Sequence, residues 1–333
     1  MPRLSTLSSQ LSALLLLTLL VSCQRSLPVT EPTRLVIPSG SSYEALTDSL
    51  DAHGLRPNKA VFNVTATLLR LPSRVHGGSY LIQPGTSTTA LIRKISSGSQ
   101  DPVRITINKH RTLPQLCQYL GDHLEFSADT LLAILSADTF CTRYGCTPAG
   151  AFLLFPRNTY EFYWTVSPRR FVERMQQESE RFWTPRRDRC DALGLTPAQV
   201  LTLASIVEEE TNCNDEKADI ASVYLNRLRI GMALQADPTV RYALGDFSVR
   251  RIRGEMLQNP SPYNTYTHQG LPPGPICIPS TASIDAVLQG KQTSYLYFCA
   301  KEDFSGRHRF AATLAEHQIN ARRFHAALNK RGL

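Results

Sequence analysis

Charge is missing from the start of this chain: Arg3 is followed by no charged side chain until Arg25. A stretch so bare of charge and so rich in leucine is an export signal rather than part of a folded core. Its apolar run, residues 11–21, is short of the ~20 residues that cross a membrane as a helix. Also missing is any paired short cysteine spacing of the zinc type, and His308 and His317 have no third ligand at suitable spacing. Both histidines are therefore expected to be structural, and no metal or cofactor is implied. Export itself excludes nucleic acid as a partner. What remains is an ordinary globular composition of 333 residues, 42% hydrophobic and 19% charged, with a net charge of +8. It is large enough for two or three domains, and its basic excess suits an acidic polymer or an anionic membrane surface.

Leu20-Val21-Ser22-Cys23 reads as a lipobox, which resembles bacterial lipoproteins and would make Cys23 the lipidated residue. The competing reading is an uncleaved anchor helix using all of residues 4–22. Either leaves the bulk of the protein outside the cytoplasm and tethered to the cell membrane. Residues 24–33, with Pro28 and Pro32 among small polar residues, suit a short tether. Cys23 aside, the cysteines are Cys117, Cys141, Cys146, Cys190, Cys213, Cys277 and Cys299. An odd number cannot all pair. A Cys141–Cys146 disulfide and a set of isolated buried thiols are the two readings.

From Arg34 short β-rich pieces, at residues 34–40, 78–85 and 103–109, end in Gly, Pro or Asn and alternate with helical stretches at 42–52, 60–69 and 88–96. Alternating small elements predict a compact α+β module. Two further helices are expected at 112–120 and 128–135, and an amphipathic one at 171–182.

The chemistry is expected in residues 196–234. Thr196-Pro197-Ala198-Gln199 has the form of a capping box with Pro at the first helical position, so a helix starts at Pro197. At 100° per residue Val200, Leu201, Leu203, Ala204, Ile206 and Val207 share one arc, with Thr202, Ser205 and Glu209 opposite. Glu210 falls inside the apolar arc and Glu208 at its edge. Acids at a helix C-terminus oppose the macrodipole, so the triplet Glu208-Glu209-Glu210 is locally unfavourable and needs another reason. A carboxyl held against Leu203, Ile206 and Val207 would be desolvated and stay protonated near neutrality, as a general acid requires. The alternative is a solvated charge run.

A second helix follows, with Ile220, Val223, Tyr224 and Leu228 on its apolar stripe, Asn226 and Arg227 as polar insertions and Gly231 as its C′ residue. Packed back on Glu210, it could bring Asn226 near the cleft. A third helix begins at Asp237-Pro238 and ends at Gly245, with Gln235 and Asp237 flanking its turn. Residues 260–279 hold six prolines and cannot be regular structure. Within that stiff loop Tyr263, Asn264, Thr265 and Tyr266 combine aromatic faces with amide and hydroxyl groups suited to sugar rings and N-acetyl groups. Residues 295–299 and 308–311 flank a polar turn as a hairpin, followed by a helix from Thr313.

The order ASIVEEET, IASVYLNRLRIGMALQADPTVRYALG, SPYNTYTHQGLPPGPICIPS, SYLYFCA and HRFAATLAEH resembles the MltG/YceG family of endolytic murein transglycosylases, densely over residues 149–317 and weakly over 34–140. That resemblance implies an α+β fold with a small LysM-like N-terminal module, followed by a mainly helical catalytic domain with a C-terminal β-hairpin. The expected divisions are 1–23 signal or anchor, 24–33 tether, 34–100 LysM-like module, 101–146 linking subdomain and 147–333 catalytic domain. It also implies that Glu210, placed at the end of the IVE-x-E-T run, is the catalytic acid. Tyr263, Asn264, Thr265 and Asn226 would hold the saccharide, with Gln235 and Asp237 shaping the cleft floor. Gly150 to Tyr160 departs from the family pattern, with Arg157-Asn158 where a single Asp is usual.

Murein is a polymer of N-acetylglucosamine and N-acetylmuramic acid bearing acidic peptides. The implied reaction cleaves the β-1,4 bond between them within nascent strands, gives 1,6-anhydromuramoyl ends and would terminate glycan elongation, with peptidoglycan synthases as partners. A hydrolase of the lysozyme type, with Glu208 or Asp237 as second carboxylate, and a non-catalytic murein-binding scaffold lipoprotein are the competing readings.

Overall fold

A computed structural model of the chain describes residues 26–56, 58–140, 148–249 and 251–332. The signal segment, Cys23, Cys141 and Cys146 lie outside the described residues. Short polar caps set the first elements. After β1 (Thr33–Ile37), Ser42 caps α1 (Tyr43–Ala52) through Ala45 N–H, and Asn58 caps α2 (Lys59–Leu68) through Val61 N–H. β2 (Gly78–Ile82) returns antiparallel to β1 with Tyr80 opposite Leu35, and Ser87 caps α3 (Thr88–Ser96). Leu35, Ile37, Leu46, Leu50, Phe62, Tyr80, Ile82, Leu91 and Ile95 close one core. Gly77 is required there, because a Cβ would stand 2.7 Å from the Ser39 Cα. Within the expected tether, Leu27 is buried in this core and its N–H donates to Thr86 O at 2.8 Å, while Ser26, Pro28 and residues 30–32 are exposed.

The chain divides into two units. The first holds residues up to Ile105 with Gly121–Phe126 and Glu161–Ser167; the second holds Thr106–Leu120, Ser127–Tyr160 and Pro168–Leu333. The linking subdomain expected at 101–146 is not a unit of its own, because its residues are shared between these two. β3 (Val103–Thr106), α4 (Leu113–His123) and α5 (Ala128–Ser136) follow the expected pattern, whereas β4 (Thr159–Phe162), which forms a two-strand sheet with β3, had no clear sequence signal.

In the second unit α6 (Pro168–Trp183) and α7 (Arg187–Leu193) precede α8 (Pro197–Glu210), whose capping box forms as expected between Thr196 and Gln199. α8 departs from its projection along its middle turns. Every residue from Val200 to Val207 is buried, including Thr202 and Ser205 on the supposedly polar arc. Their hydroxyls are satisfied locally: Thr202 donates to Ala198 O, and Ser205 donates to Thr202 O while accepting from Ile276 N–H. A helix apolar or satisfied all round is a core helix. α9 (Lys217–Arg229), α10 (Asp237–Leu244) and α11 (Thr281–Leu288) all pack on it. Burial of its Val, Leu and Ile side chains contributes roughly 1.5–3 kcal/mol each. β5 (Tyr297–Ala300) and β6 (His308–Ala311) form the expected antiparallel hairpin, and α12 (Leu314–Lys330) follows with a Thr313–Glu316 capping box.

Candidate active site

α8 carries the three acids in its last turn, with Thr211 as the extended cap after them, and the ~100° rotation per helical residue points their side chains in different directions. Glu208 enters a polar nest. Its Oε1 pairs with Arg157 at 3.0 Å, while Oε2 accepts from Lys217 at 2.9 Å and from the Ser280 and Ser283 hydroxyls at 2.6 Å each. Burial alone would raise its pKa, but these hydrogen bonds and the Arg157 charge outweigh it and hold Glu208 down to about 2. Arg157, at the position where the sequence departs from the family pattern, thus supports the acid triplet and also donates to Ile278 O. Glu209 was expected on the polar side; instead its side chain is only 7% exposed and sits between Lys109 at 2.8 Å and Arg111 at 3.0 Å. Burial again opposes ionisation, and the two cations lower its pKa nonetheless.

Glu210 has no ion pair among the described residues. Its Oε1 accepts from the Tyr224 hydroxyl at 2.5 Å, and among the described residues no hydrogen bond reaches Oε2. Burial of the carboxyl raises its pKa to about 7. The Tyr224 hydrogen bond and the charges of Arg241 and Arg227 pull the other way, and the nearby Asp237 charge adds to the rise. Tyr224 is itself held rigidly, buried in α9 with its ring edge-on to Phe298 at 5.9 Å. The arrangement is a carboxyl with one oxygen fixed and one unengaged, poised to be protonated near neutral pH and to give up that proton reversibly.

The remaining expected site residues divide. Asp237 is exposed; it is the first residue of α10 and makes no cap bond, because its carboxylate accepts from Tyr266 OH at 2.6 Å. Gln235 is also exposed and adopts a left-handed φ of 50°, a conformation costing an unbranched residue about 1–3 kcal/mol. Its N–H donates to Thr265 O, which ties the proline-rich loop to the start of α10. Tyr263 is half-buried and packs on Tyr242 with ring centroids 4.6 Å apart.

Asn264, Thr265 and Asn226 do not sit as sugar ligands would. Asn264 is fully buried: its amide donates to Leu257 O and Asn259 O, and its Oδ1 accepts from Tyr266 N–H. Thr265 is buried against Thr239 and accepts from Ala236 N–H. Asn226 turns away from Glu210 and donates to Thr293 O and Tyr295 O. All three are corrected to loop-holding residues, because a buried polar group must bond inside the protein. Sequence reasoning missed Arg241, placed Tyr224 only on an apolar stripe, and put Tyr266 among the sugar-facing loop groups, whereas the Tyr266 hydroxyl donates to Asp237. The missed signal for Tyr224 was its hydroxyl, since a tyrosine buried on an apolar stripe still needs an acceptor.

Cys117, Cys190, Cys213, Cys277 and Cys299 are free thiols. His308 packs by Glu216 and His317 stacks on Tyr297, both in structural surroundings. Among the described residues no three His, Cys, Asp or Glu side chains gather as a metal would require.

A model of the YceG-like family matches residues 35–323. A Bacillus subtilis (strain 168) protein named endolytic murein transglycosylase is 29% identical over 313 residues, covering 89% of this chain and 85% of its own. A protein of the same name from Streptococcus pneumoniae serotype 2 (strain D39 / NCTC 7466) is 27% identical over 315 residues, 85% of this chain but 57% of its own length. The crystal structure at 2.6 Å of a yceG-like protein from Listeria monocytogenes superposes with a TM-score of 0.60 at 28% identity, covering 87% of this chain and 99% of that one.

Proposed function

The chain belongs to the YceG-like family, and from that premise we propose that it is an endolytic murein transglycosylase, a lyase acting on peptidoglycan glycan strands. The observation that carries the reading is the state of Glu210, whose pKa is raised to about 7 with Oε2 unengaged. A hydrolytic glycosidase needs two carboxylates in separate roles, whereas a lytic enzyme needs one group that is acid and then base. A pKa near the working pH serves both halves.

Protonated Glu210 donates from Oε2 to the glycosidic oxygen between N-acetylmuramic acid and N-acetylglucosamine. The resulting carboxylate, steadied by Tyr224, takes the proton of the C6 hydroxyl of the same muramoyl residue as that oxygen closes on C1. The products are a 1,6-anhydromuramoyl end and a free N-acetylglucosamine end, with no water consumed. Glu208 is unsuited to act as a second carboxylate, because four partners occupy it. Asp237, exposed and with its charge acting on Glu210, is the residue on which a hydrolytic outcome would rest.

The N-terminal segment exports the chain and holds it at the cell membrane, through a lipid on Cys23 or through residues 4–22 as a helix. Cleavage there would act on strands leaving their synthases and so end elongation. The β1–β2 module would be a LysM-like element that positions glycan. Among the described residues no single helix is long and apolar enough to cross a membrane. Mass spectrometry of fragments released from purified glycan strands tests the reaction. Anhydromuramoyl ends are expected; reducing muramic acid ends would transfer the site to hydrolysis through Asp237, and intact strands would leave a binding scaffold.

A further inference from the structure

The cations around the end of α8 are almost all committed. Lys109 and Arg111 neutralise Glu209, and Arg157 and Lys217 neutralise Glu208. Arg227, buried and with its ring-facing side over Tyr297, donates to Leu296 O and Leu234 O. Arg241 is different. It stands in the last turn of α10, on the helix that packs against α8, and no hydrogen bond or ion pair to it exists among the described residues. Its Nε is enclosed without a partner, so the stem of the guanidinium is gripped by packing, while among the described residues no hydrogen-bond acceptor meets Nη1 or Nη2. The obvious counter-charge is Asp237, one helical turn earlier, and opposite charges at that spacing ordinarily pair. Here they do not, because Asp237 is turned to Tyr266 at 2.6 Å.

A cation placed by its surroundings and denied its local partner fits an anion that arrives from outside. We infer that Arg241 is the anion-recognition residue of this site: its Nη groups take a carboxylate carried on the muramoyl residue beside the scissile bond. The inference rests on the proposed reaction for its substrate class and goes beyond it by naming what the site recognises. Muramic acid differs from glucosamine by an ether-linked lactyl carboxyl, so this contact would distinguish the two sugars that alternate along the strand. The same carboxyl is free in strands stripped of peptide and amide-linked in peptide-bearing strands, where the peptide supplies carboxylates of its own. A planar guanidinium suits either, since it meets a carboxylate through two parallel N–H···O bonds. Binding would have a second effect at the centre. The Arg241 charge works against the protonated form of Glu210, and a carboxylate seated on Arg241 cancels that influence when the proton is needed.

The test uses the full chain carrying Glu210→Gln, so that binding is read without turnover. Dissociation constants are measured by calorimetry for glycan strands stripped of peptide, for peptide-bearing strands, and for both after conversion of their carboxylates to primary amides. Adding Arg241→Gln is expected to weaken binding of carboxylate-bearing strands about 10- to 100-fold while amidated strands change by less than about twofold. Arg241→Lys should restore part of the loss. A loss confined to stripped strands assigns the lactyl carboxylate, and one confined to peptide-bearing strands assigns the peptide. Equal loss on native and amidated strands, or no loss on either, overturns the assignment. Because the assay reads affinity, a wild type that forms no anhydromuramoyl ends would count against the proposed reaction and leave this result standing.

Discussion

Glu208 and Glu209 each meet cations at the end of α8 whereas Glu210 meets a tyrosine hydroxyl, and the contrast separates three side chains that are chemically identical and adjacent in sequence. All three lose water on folding, which by itself favours the protonated acid. Glu208 and Glu209 recover that loss from cations and hydroxyls, so they are fixed as anions; Glu210 is offered a tyrosine hydroxyl and nearby charges of both signs, and its pKa rises to about 7. The unfavourable placement of acids at a helix C-terminus is thus resolved differently within one turn. Two serve as anchors for the loops that carry Lys109, Arg111, Arg157 and Ser280, and one is left for proton transfer.

The sharpest test of that division is to remove one carboxylate charge at a time. Glu210→Gln is expected to lower glycan cleavage by roughly 10²–10⁴-fold, the usual share of a general acid and base. Glu209→Gln should keep specific activity within a few-fold and lose stability instead. Initial rates of anhydromuramoyl release, normalised to folded protein, read the difference. Equal loss of activity from both substitutions would erase the distinction between the two faces.

The next effect is on stability. Glu208→Gln leaves Lys217, with a side chain only 5% exposed, without its counter-charge, and should cost about 3 kcal/mol in denaturant unfolding at neutral pH. The sign with pH follows from its depressed pKa. The Glu208 contribution is fully present above its ordinary 4.5 and fades as pH falls toward about 2, so wild type and variant should converge across that interval. A gap that persists unchanged at pH 2 would show that packing rather than charge holds this corner.

Much of the scaffold was legible because caps and periodicity are local properties. The Thr196–Gln199 capping box, Gly231 with its positive φ after α9, and the β5–β6 hairpin all stand where the chain's own chemistry put them. The position of Glu210 in the apolar arc was legible for the same reason. What one helix cannot display is what its neighbours bring. The partners of Glu208 come from residues 157, 217, 280 and 283, and those of Glu209 from 109 and 111, all distant in sequence or on other elements. Asn264 and Thr265 looked like ligands because loop amides and hydroxyls have the same composition whether they bind a sugar or hold a turn. Burial decides between those uses, and burial is a tertiary property.

Tyr224 gives the finest division between the two faces, since it is the one hydrogen-bond donor that Glu210 has among the described residues. Its hydroxyl donates to Oε1 and so favours the carboxylate, which lowers the pKa against the larger upward push of burial. Tyr224→Phe removes the donor while keeping the ring against Phe298. The Glu210 pKa should then rise further above about 7, by about one unit for the loss of a hydrogen bond to a charged group. Since the first step needs the protonated acid, the alkaline limb of kcat/KM should move to higher pH by that amount. The rate at the optimum should fall about tenfold, because Oε1 is no longer held and the unengaged oxygen loses its aim. An alkaline limb that stays in place while only the unfolding midpoint drops would reduce Tyr224 to a core residue. Its contact with Glu210 would then have no part in setting the acid apart from its two neighbours.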